Sequence, residues 1–338
     1  MAQTLHDIGE QGAWRVMQPF LLPSRKGLLS FGDDTAVTEV PAGQRLLWTS
    51  DMLVEGVHFL PEFISWSDLG HKAMAVNLSD MAAMGGEPLH ALVSIGLPDS
   101  FEVANLRALY RGMATELNKF GAGIIGGDTV RSPQVVINVS LSGLTPQNRA
   151  LPLRSRCRAG QNLYVTGAVG DSGAGLALLL NAKWKQHRES AWGRALIARH
   201  HRPQPRVQAG AALSAALKDL AMIDVSDGVA HECELLSASS QAVIELEAEA
   251  LPISRALRQF AEATREDEVS YALGGGEDYE LLFATKTSQD EIRQILTEKG
   301  ICLPVSRIGR VAAKGKGKSE VRILSSREHA RVQFEHFG

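Results

Sequence analysis

The amino-acid sequence predicts an α+β protein of two domains, residues 1–150 and residues 151–338. Three observations lead there. The chain has 338 residues, enough for two domains at about 150 residues each. Its first part mixes short apolar strands with helices on what reads as one sheet. A second series of strands and helices then follows the basic stretch Arg149–Arg158.

The elements follow in order. Arg45–Ser50 is short and apolar and ends at Asp51, as a buried strand delivering a carboxylate would. Ser67–Met84 reads as a helix opened by Ser/Asp and stopped by Gly85-Gly86. Glu87–Pro98 is a strand, Glu102–Phe120 an amphipathic helix, and Gly121–Gly127 a short strand entering a Gly-Gly-Asp turn. Gln134–Leu144 alternates apolar and polar residues, the period of a sheet strand. In the second domain Asn162–Thr166 is a strand, and helices are expected from Gly173 to Leu180, Ala191 to His200 and Val207 to Leu220. Strands follow at Ala221–Val225, Val243–Glu247, Tyr279–Ala284 and Val305–Val311, and Lys314–Lys318 reads as a solvated hairpin loop.

Composition narrows the function. A net charge of −3 gives no electrostatic case for nucleic acid, which favours a basic domain. Cys157, Cys233 and Cys302 are odd in number and far apart, so they form neither a disulfide framework nor a metal-ligand spacing and point to a reducing cytoplasm. Met1–Trp14 lacks a signal-peptide apolar run, and no apolar stretch reaches the ~20 residues that span a bilayer. A cytoplasmic protein with no membrane partner is expected.

Aspartates beside glycine or small residues recur over half the chain: Gly32-Asp33-Asp34, Thr49-Ser50-Asp51, Asn77-Leu78-Ser79-Asp80, Gly126-Gly127-Asp128-Thr129 and Asp224-Val225-Ser226-Asp227-Gly228. Each alone reads as an ordinary turn. Together they suggest carboxylates that converge, and converging carboxylates repel unless hard cations such as Mg²⁺ sit between them, commonly with phosphates. Asp80 falls near the end of its helix, where the helix dipole disfavours a negative charge by about 0.3–1 kcal/mol; a bound cation or a neighbouring Lys or Arg would compensate it. Asp224 and Ser226 lie two apart on a strand end and so share a face, with Asp227 on the turn that follows. The spacing lacks the later Glu of a calcium loop.

Other segments are less decisive on their own. Gly274-Gly275-Gly276-Glu277-Asp278-Tyr279-Glu280 is either a wide hairpin turn or a loop that brings backbone close to a ligand. His58 follows closely on Asp51 and either faces the same cleft or is solvated on a loop. Gly317-Lys318-Ser319 imitates the end of a P-loop, but Ala312 replaces its leading glycine; the glycine spacing of Gly167–Gly175 fits strand–helix packing rather than a dinucleotide loop. No Gly-x-Ser-x-Gly elbow or Cys–His pairing supports a side-chain nucleophile.

Taken together the motifs resemble the thiamine-monophosphate kinase family of the aminoimidazole ribonucleotide synthetase-like superfamily. The resemblance rests on GDDTAV (Gly32–Val37), TSDMLVEGVHF (Thr49–Phe59), AVNLSDMAAMGGEP (Ala75–Pro88), IGGDT (Ile125–Thr129), VTGAVGDSGAGLALL (Val165–Leu179), IDVSDG (Ile223–Gly228) and GGGEDYELLF (Gly274–Phe283). Gly173 and Met52 depart from the family's usual alanine and threonine. The resemblance implies an N-terminal α+β domain that pairs with its twin in a homodimer, a C-terminal α+β domain, and several Mg²⁺ ions between ATP phosphates and aspartates. It implies metal ligation by Asp33, Ser50, Asp51, Asp80, Asp128, Asp224 and Asp227. ATP contacts fall on Tyr110, Gly127, Asp128, Arg154 and Ser226, and contacts to thiamine monophosphate on His58, Glu277 and Phe334.

The implied reaction moves the ATP γ-phosphoryl group onto the phosphate of thiamine monophosphate. That acceptor oxygen is already largely ionised, since a phosphate monoester has its second pKa near ~6, so no residue is expected to act as a general base. Other readings are a sibling enzyme or a non-catalytic nucleotide-binding scaffold. Selenophosphate synthesis lacks a Cys near the N-terminus, hydrogenase maturation lacks a Cys at the C-terminal Glu335–Gly338, and the aminoimidazole enzyme lacks the VEGVHF segment in this form. A scaffold is expected to have lost key aspartates, and none is missing.

Overall fold

The structure is a computed structural model that describes residues 2–31, 34–312 and 319–327. Asp33, Phe334 and the expected Lys314–Lys318 loop lie outside the described residues. The chain divides into two compact units, residues 1–81 with 86–148, and residues 82–85 with 149–338.

In the first unit, helix α1 (Leu5–Met17) precedes a small antiparallel pair, β1 (Leu28–Leu29) and β2 (Val37–Thr38). Strand β3 (Gln44–Val54), helix α2 (Trp66–Ala83), strand β4 (Glu87–Leu97), helix α3 (Val103–Asn118), and strands β5 (Gly123–Arg131) and β6 (Val136–Pro146) follow. Four of these strands form one sheet in the order β3-β6-β4-β5, with β4 and β5 parallel and the other pairs antiparallel.

Two strands are longer than the sequence reading gives. β3 runs through Asp51 to Val54 because β6 pairs with it over that whole length, Val54 opposite Val136. β5 likewise runs through the Gly-Gly-Asp segment to Arg131 against β4. Period-two alternation along β3 puts Trp48, Ser50 and Met52 on the exposed face and Thr49, Asp51 and Leu53 on the other.

The crossing of α2 and α3 depends on glycine. A methyl group at Gly70 would stand 2.0 Å from the Leu109 carbonyl oxygen, and one at Gly112 would stand 2.0 Å from that of Ser67. Each helix therefore presses its backbone into the gap left by the other's missing side chain, and the crossing residues Leu69, Leu106, Leu109 and Met113 are fully buried.

The second unit holds β7 (Asn162–Thr166), α4 (Asp171–Leu180), α5 (Ala191–His201), α6 (Val207–Ala216), β8 (Ala221–Asp224), α7 (Val229–Ser240), β9 (Val243–Glu247), α8 (Arg255–Thr264), α9 (Glu268–Gly274), β10 (Leu281–Thr285), α10 (Gln289–Glu298), β11 (Val305–Ala312) and β12 (Glu320–Leu324). Its six strands are ordered β12-β9-β11-β7-β10-β8, antiparallel except for the β12–β9 pair. The sheet buries Leu163, Val165, Ile223, Ile244 and Leu282 with Cys233 and Leu236 of α7 and Leu273 of α9. A second apolar cluster joins α4, α5, α8 and α9 around Phe260, which meets Tyr271 edge to face at 5.2 Å.

Here too the sequence reading is corrected. Helices α7 to α10 stand where it names none, and α6 ends at Ala216 rather than Leu220. β8 ends at Asp224, so Ser226 lies in the loop beyond it. Tyr279 is not in a strand: its φ of 52° breaks the extended run, which begins at Leu281. The α2–α3 crossing yields a direct test. Gly112→Ala should cost at least about 2 kcal/mol of stability in urea denaturation, since it overpacks against backbone that cannot move aside; an unchanged midpoint and slope would refute the crossing.

Candidate functional site

In the first unit the structure brings Asp51 and Asp80 together. Asp51 projects from β3 on the same face as Thr49, and the Thr49 hydroxyl donates to the Asp80 carboxylate, which α2 supplies three residues before its end. Burial, and then the Asp80 charge, push the Asp51 carboxyl up to about 6. Such a shift is expected when a carboxylate is desolvated beside a like charge. Asp51 and Asp128 therefore sit inside strands rather than on turns, while Asp80 lies near the end of its helix, as the sequence had suggested. Thr49 is the residue the sequence reading missed, although its place two before Asp51 carries the signal.

Ser50 and Asp128 are not part of that pair. Ser50 lies opposite Ser140, Ser140 opposite Leu92, and Leu92 opposite Gly126, so Asp128, two residues on, shares the outer face of the sheet with Ser50. The Ser50 hydroxyl meets that of Ser140 at 3.1 Å and accepts from Asn138 at 3.2 Å. The Asp128 carboxylate accepts from the Thr129 amide at 2.8 Å. Gly127 has φ of 152°, and a methyl group there would fall 1.8 Å from the Val93 carbonyl oxygen, so only glycine fits between β4 and β5.

A groove of about 750 Å³ opens in this unit, and Tyr110, Gly127 and Asp128 are among its lining residues with Trp14, Asp34 and His90. Tyr110 comes from α3 and is almost fully buried, and that burial pushes its phenol far up. His58 sits beyond β3, where its Nδ1 accepts from the Val54 amide at 3.0 Å, so the neutral ring carries its proton on Nε2. The Glu55 carboxylate caps the start of β6 by accepting from the Val135 amide at 2.8 Å.

In the second unit two loops run side by side. The Val225 amide donates to the Glu280 carbonyl, the Tyr279 amide to the Val225 carbonyl, and the Glu277 amide to the Ser226 carbonyl at 2.6 Å. Asp224, Ser226 and Asp227 are thus brought close to Glu277. Glu232 of α7, almost wholly buried, closes the first loop by accepting from the amides of Ser226 (3.2 Å) and Asp227 (2.9 Å), and burial raises its carboxyl above the usual range. Arg154 of this unit is exposed, and its carbonyl accepts from Ser240.

Beneath Glu277 lies a buried polar network that the sequence reading did not resolve. Asp278 accepts from the Gly170 amide at 2.6 Å and the Ser172 amide at 3.2 Å, capping α4; complete burial nonetheless drives its carboxyl up to about 7. Glu280, with no exposed surface, accepts from Thr166 (2.7 Å), Arg199 (2.9 Å) and Arg206 (2.7 Å). Asp278 and Glu280 were visible in the glycine-rich motif. Arg199 and Arg206 sit in an unremarkable basic stretch and carried no signal. The glycines of the motif have a packing role as well: a methyl group at Gly173 would stand 2.6 Å from Gly275 Cα.

The assigned residues therefore divide between the units. Ser50, Asp51, His58, Asp80, Tyr110, Gly127 and Asp128 belong to the first, and Arg154, Asp224, Ser226, Asp227 and Glu277 to the second. Among the described residues no three His, Cys, Asp or Glu side chains are arranged to hold a metal by themselves. No helix among the described residues is long and apolar enough to cross a membrane.

Known proteins match this architecture along most of its length. The family model of the AIR synthase related protein N-terminal domain matches residues 32–145, and that of the C-terminal domain matches residues 158–322. The thiamine-monophosphate kinase of Escherichia coli (strain K12) is 38% identical over 297 residues, 87% of each chain. The solved structure of thiamine-monophosphate kinase from Stenotrophomonas maltophilia K279a superposes with a TM-score of 0.78 at 32% identity, covering 91% of this chain and 93% of that one. A solved complex, AaThiL with AMPPCP and TMP, superposes with a TM-score of 0.76 at 32% identity and covers 100% of both chains. The chain belongs to the thiamine-monophosphate kinase family of AIR synthase related proteins.

Proposed function

We propose that this chain phosphorylates thiamine monophosphate to thiamine diphosphate at the expense of ATP. The observation that carries the reading is the full-length likeness to a relative solved with AMPPCP and TMP. The groove of about 750 Å³ has the size of a small-molecule pocket, and Tyr110, Gly127 and Asp128 on its wall are the residues assigned to ATP. Arg154 and Ser226 are also assigned to ATP, and His58, Glu277 and Phe334 to thiamine monophosphate.

The acceptor needs no proton removed at neutral pH, because its phosphate is largely ionised above a pKa of ~6. The obstacle is to bring two polyanions together, since like charges at ~4 Å repel by several kcal/mol in a protein environment. Asp51 and Asp80 supply hard oxygens, and burial and then the Asp80 charge already disfavour the charge on Asp51, a donor set that suits Mg²⁺. Asp33, Ser50, Asp128, Asp224 and Asp227 are the further assigned ligands; Ser50 and Asp128, on the other face of the sheet, would serve a different ion from the Asp51–Asp80 pair. Bound Mg²⁺ would neutralise the phosphates during in-line transfer, leaving the protein the work of positioning and electrostatics.

The same reading makes the molecule a homodimer. The exposed face of the first unit's sheet carries Trp48 at 62%, Met52 at 50% and Val130 at 54% exposure around the Ser50–Ser140 pair, a patch of the kind that marks an interface. Cys157, Cys233 and Cys302 are free thiols, in keeping with a cytoplasmic enzyme, and neither nucleic acid nor membrane is a partner.

The test is thiamine diphosphate formation from thiamine monophosphate, ATP and Mg²⁺, with free thiamine in parallel. Product from the monophosphate alone is expected; none, despite ATP binding, would move the reading to a sibling enzyme or a scaffold. Asp51→Asn should lower kcat by on the order of a hundredfold or more, as loss of transition-state electrostatics does. His58→Ala should raise KM for thiamine monophosphate and leave KM for ATP unchanged, and the opposite pattern would remove His58 from the acceptor site. Without metal, Asp51 also sets a pH dependence. Its folded pKa of about 6 exceeds the ordinary carboxyl value of 3.8, so the folded state holds the proton longer and stability falls as pH rises from about 4 to about 6. Melting of the metal-free protein should show wild type losing stability relative to Asp51→Asn across that window, and parallel curves would contradict the shift.

A further inference from the structure

The backbone of the glycine-rich loop is held by the adjoining loop through the Glu277 and Tyr279 amides, and its neighbours Asp278 and Glu280 are buried and anchored on α4, α5 and the Arg206 side chain. Those contacts fix the chain on both sides of Glu277 but do not aim its carboxylate. Glu277 has φ of 55°, in the left-handed region that few non-glycine residues adopt. Its side chain is 28% exposed, and one carboxylate oxygen lies 3.2 Å from Nδ1 of His200, the penultimate residue of α5. The same nitrogen lies 3.1 Å from the hydroxyl of Ser172 in the first turn of α4. His200 is itself only 6% exposed.

The geometry fixes the role of that nitrogen. A carboxylate only accepts hydrogen bonds. With the hydrogen on Nδ1, the nitrogen donates toward Glu277, and the Ser172 oxygen lies within reach of the same hydrogen. We propose that His200 is a positioning residue that aims the Glu277 carboxylate at the acceptor substrate, with the Ser172 hydroxyl holding the imidazole in plane. The inference rests on the assignment of Glu277 to the thiamine monophosphate site. Its physical content is that a partly exposed carboxylate on a glycine-flanked loop samples several rotamers unless a buried donor selects one. The buried donor must itself be fixed, and the Arg199–Glu280 ion pair at 2.9 Å pins the same turn of α5 to the same loop. His200 therefore acts through Glu277 and touches no reacting atom.

The experiment is steady-state kinetics of the full-length enzyme, with both substrates varied, for wild type, His200→Ala, His200→Asn, Glu277→Gln and the double variant His200→Ala/Glu277→Gln. Loss of a hydrogen bond to a charged group corresponds to about a tenfold effect. His200→Ala is expected to raise KM for thiamine monophosphate by about that factor while KM for ATP stays at the wild-type value. His200→Asn, whose amide nitrogen can stand where Nδ1 stood, should recover most of the loss. In the Glu277→Gln background the same alanine substitution should have little further effect. Equal rises in both KM values, an unchanged KM for thiamine monophosphate, or fully additive losses in the double variant would each overturn the proposal. If His200→Ala does not fold, the asparagine variant decides: KM for thiamine monophosphate within threefold of wild type supports the proposal, and a larger rise with a wild-type melting temperature overturns it. Wild-type enzyme that forms no thiamine diphosphate would instead count against the function itself, so the two failures are distinguishable.

Discussion

The structure depends on how it accommodates carboxylates where charge is unwelcome. In the second unit the protein supplies the compensation itself. Glu280 is enclosed by two guanidinium groups and a hydroxyl, Glu232 by the amides of the loop it closes, and Asp278 by the amides that open α4. Buried carboxylates that meet such donors hold a structure in one arrangement, while each donor lost would leave an uncompensated charge. In the first unit Asp51 meets burial and the charge of Asp80 together, and its carboxyl is driven up to about 6. A cation placed between them would offset that repulsion, which is the ground for proposing the pair as a Mg²⁺ site.

Glycine does a second and quite different kind of work. At Gly70, Gly112 and Gly127 the missing side chain lets backbone meet backbone, and a methyl group at any of them would lie within 2.0 Å of a carbonyl oxygen. Gly127 joins the two themes, because the close approach of β5 to β4 leaves its neighbour Asp128 exposed on the outer face of the sheet and on the wall of the groove. The glycine-rich loop shows the same economy. Gly275 makes room for Gly173 of α4, and Gly276, Glu277 and Tyr279 take positive φ values so that the loop can lie beside residues 225–227.

Much of this was legible in the sequence. The α+β class follows from the mixed strand and helix periodicities, and the motifs that carry the family likeness include Asp51, Asp80, Asp128, Asp227 and Glu277. What was lost is instructive. β3 and β5 continue past their aspartates because long partners pair with them, a tertiary fact that outweighs the local turn signal of Ser-Asp or Gly-Gly-Asp. Helix α10 was readable, since Ser288 and Glu291 form a reciprocal capping box, and Ser254 and Asp267 cap α8 and α9 by accepting one amide each. Arg199, His200 and Arg206 could not be read, because nothing local tells that three basic side chains from residues 199–206 turn toward a motif some 70 to 80 positions later, as their hydrogen bonds and ion pair show. The opposite faces taken by Ser50 and Asp51 follow from strand parity once β3 is known to continue, and only then.

The most direct test of the central claim is calorimetric titration of Mg²⁺ into the nucleotide-free protein, wild type beside Asp51→Asn. If the Asp51–Asp80 pair is a cation site, wild type takes up Mg²⁺ with release of protons near pH 6, and the asparagine variant binds it at least about tenfold more weakly, without that proton release. Equal affinity and equal proton release in the two proteins would contradict the account, and would mean that the charge at this pair is balanced by the protein alone.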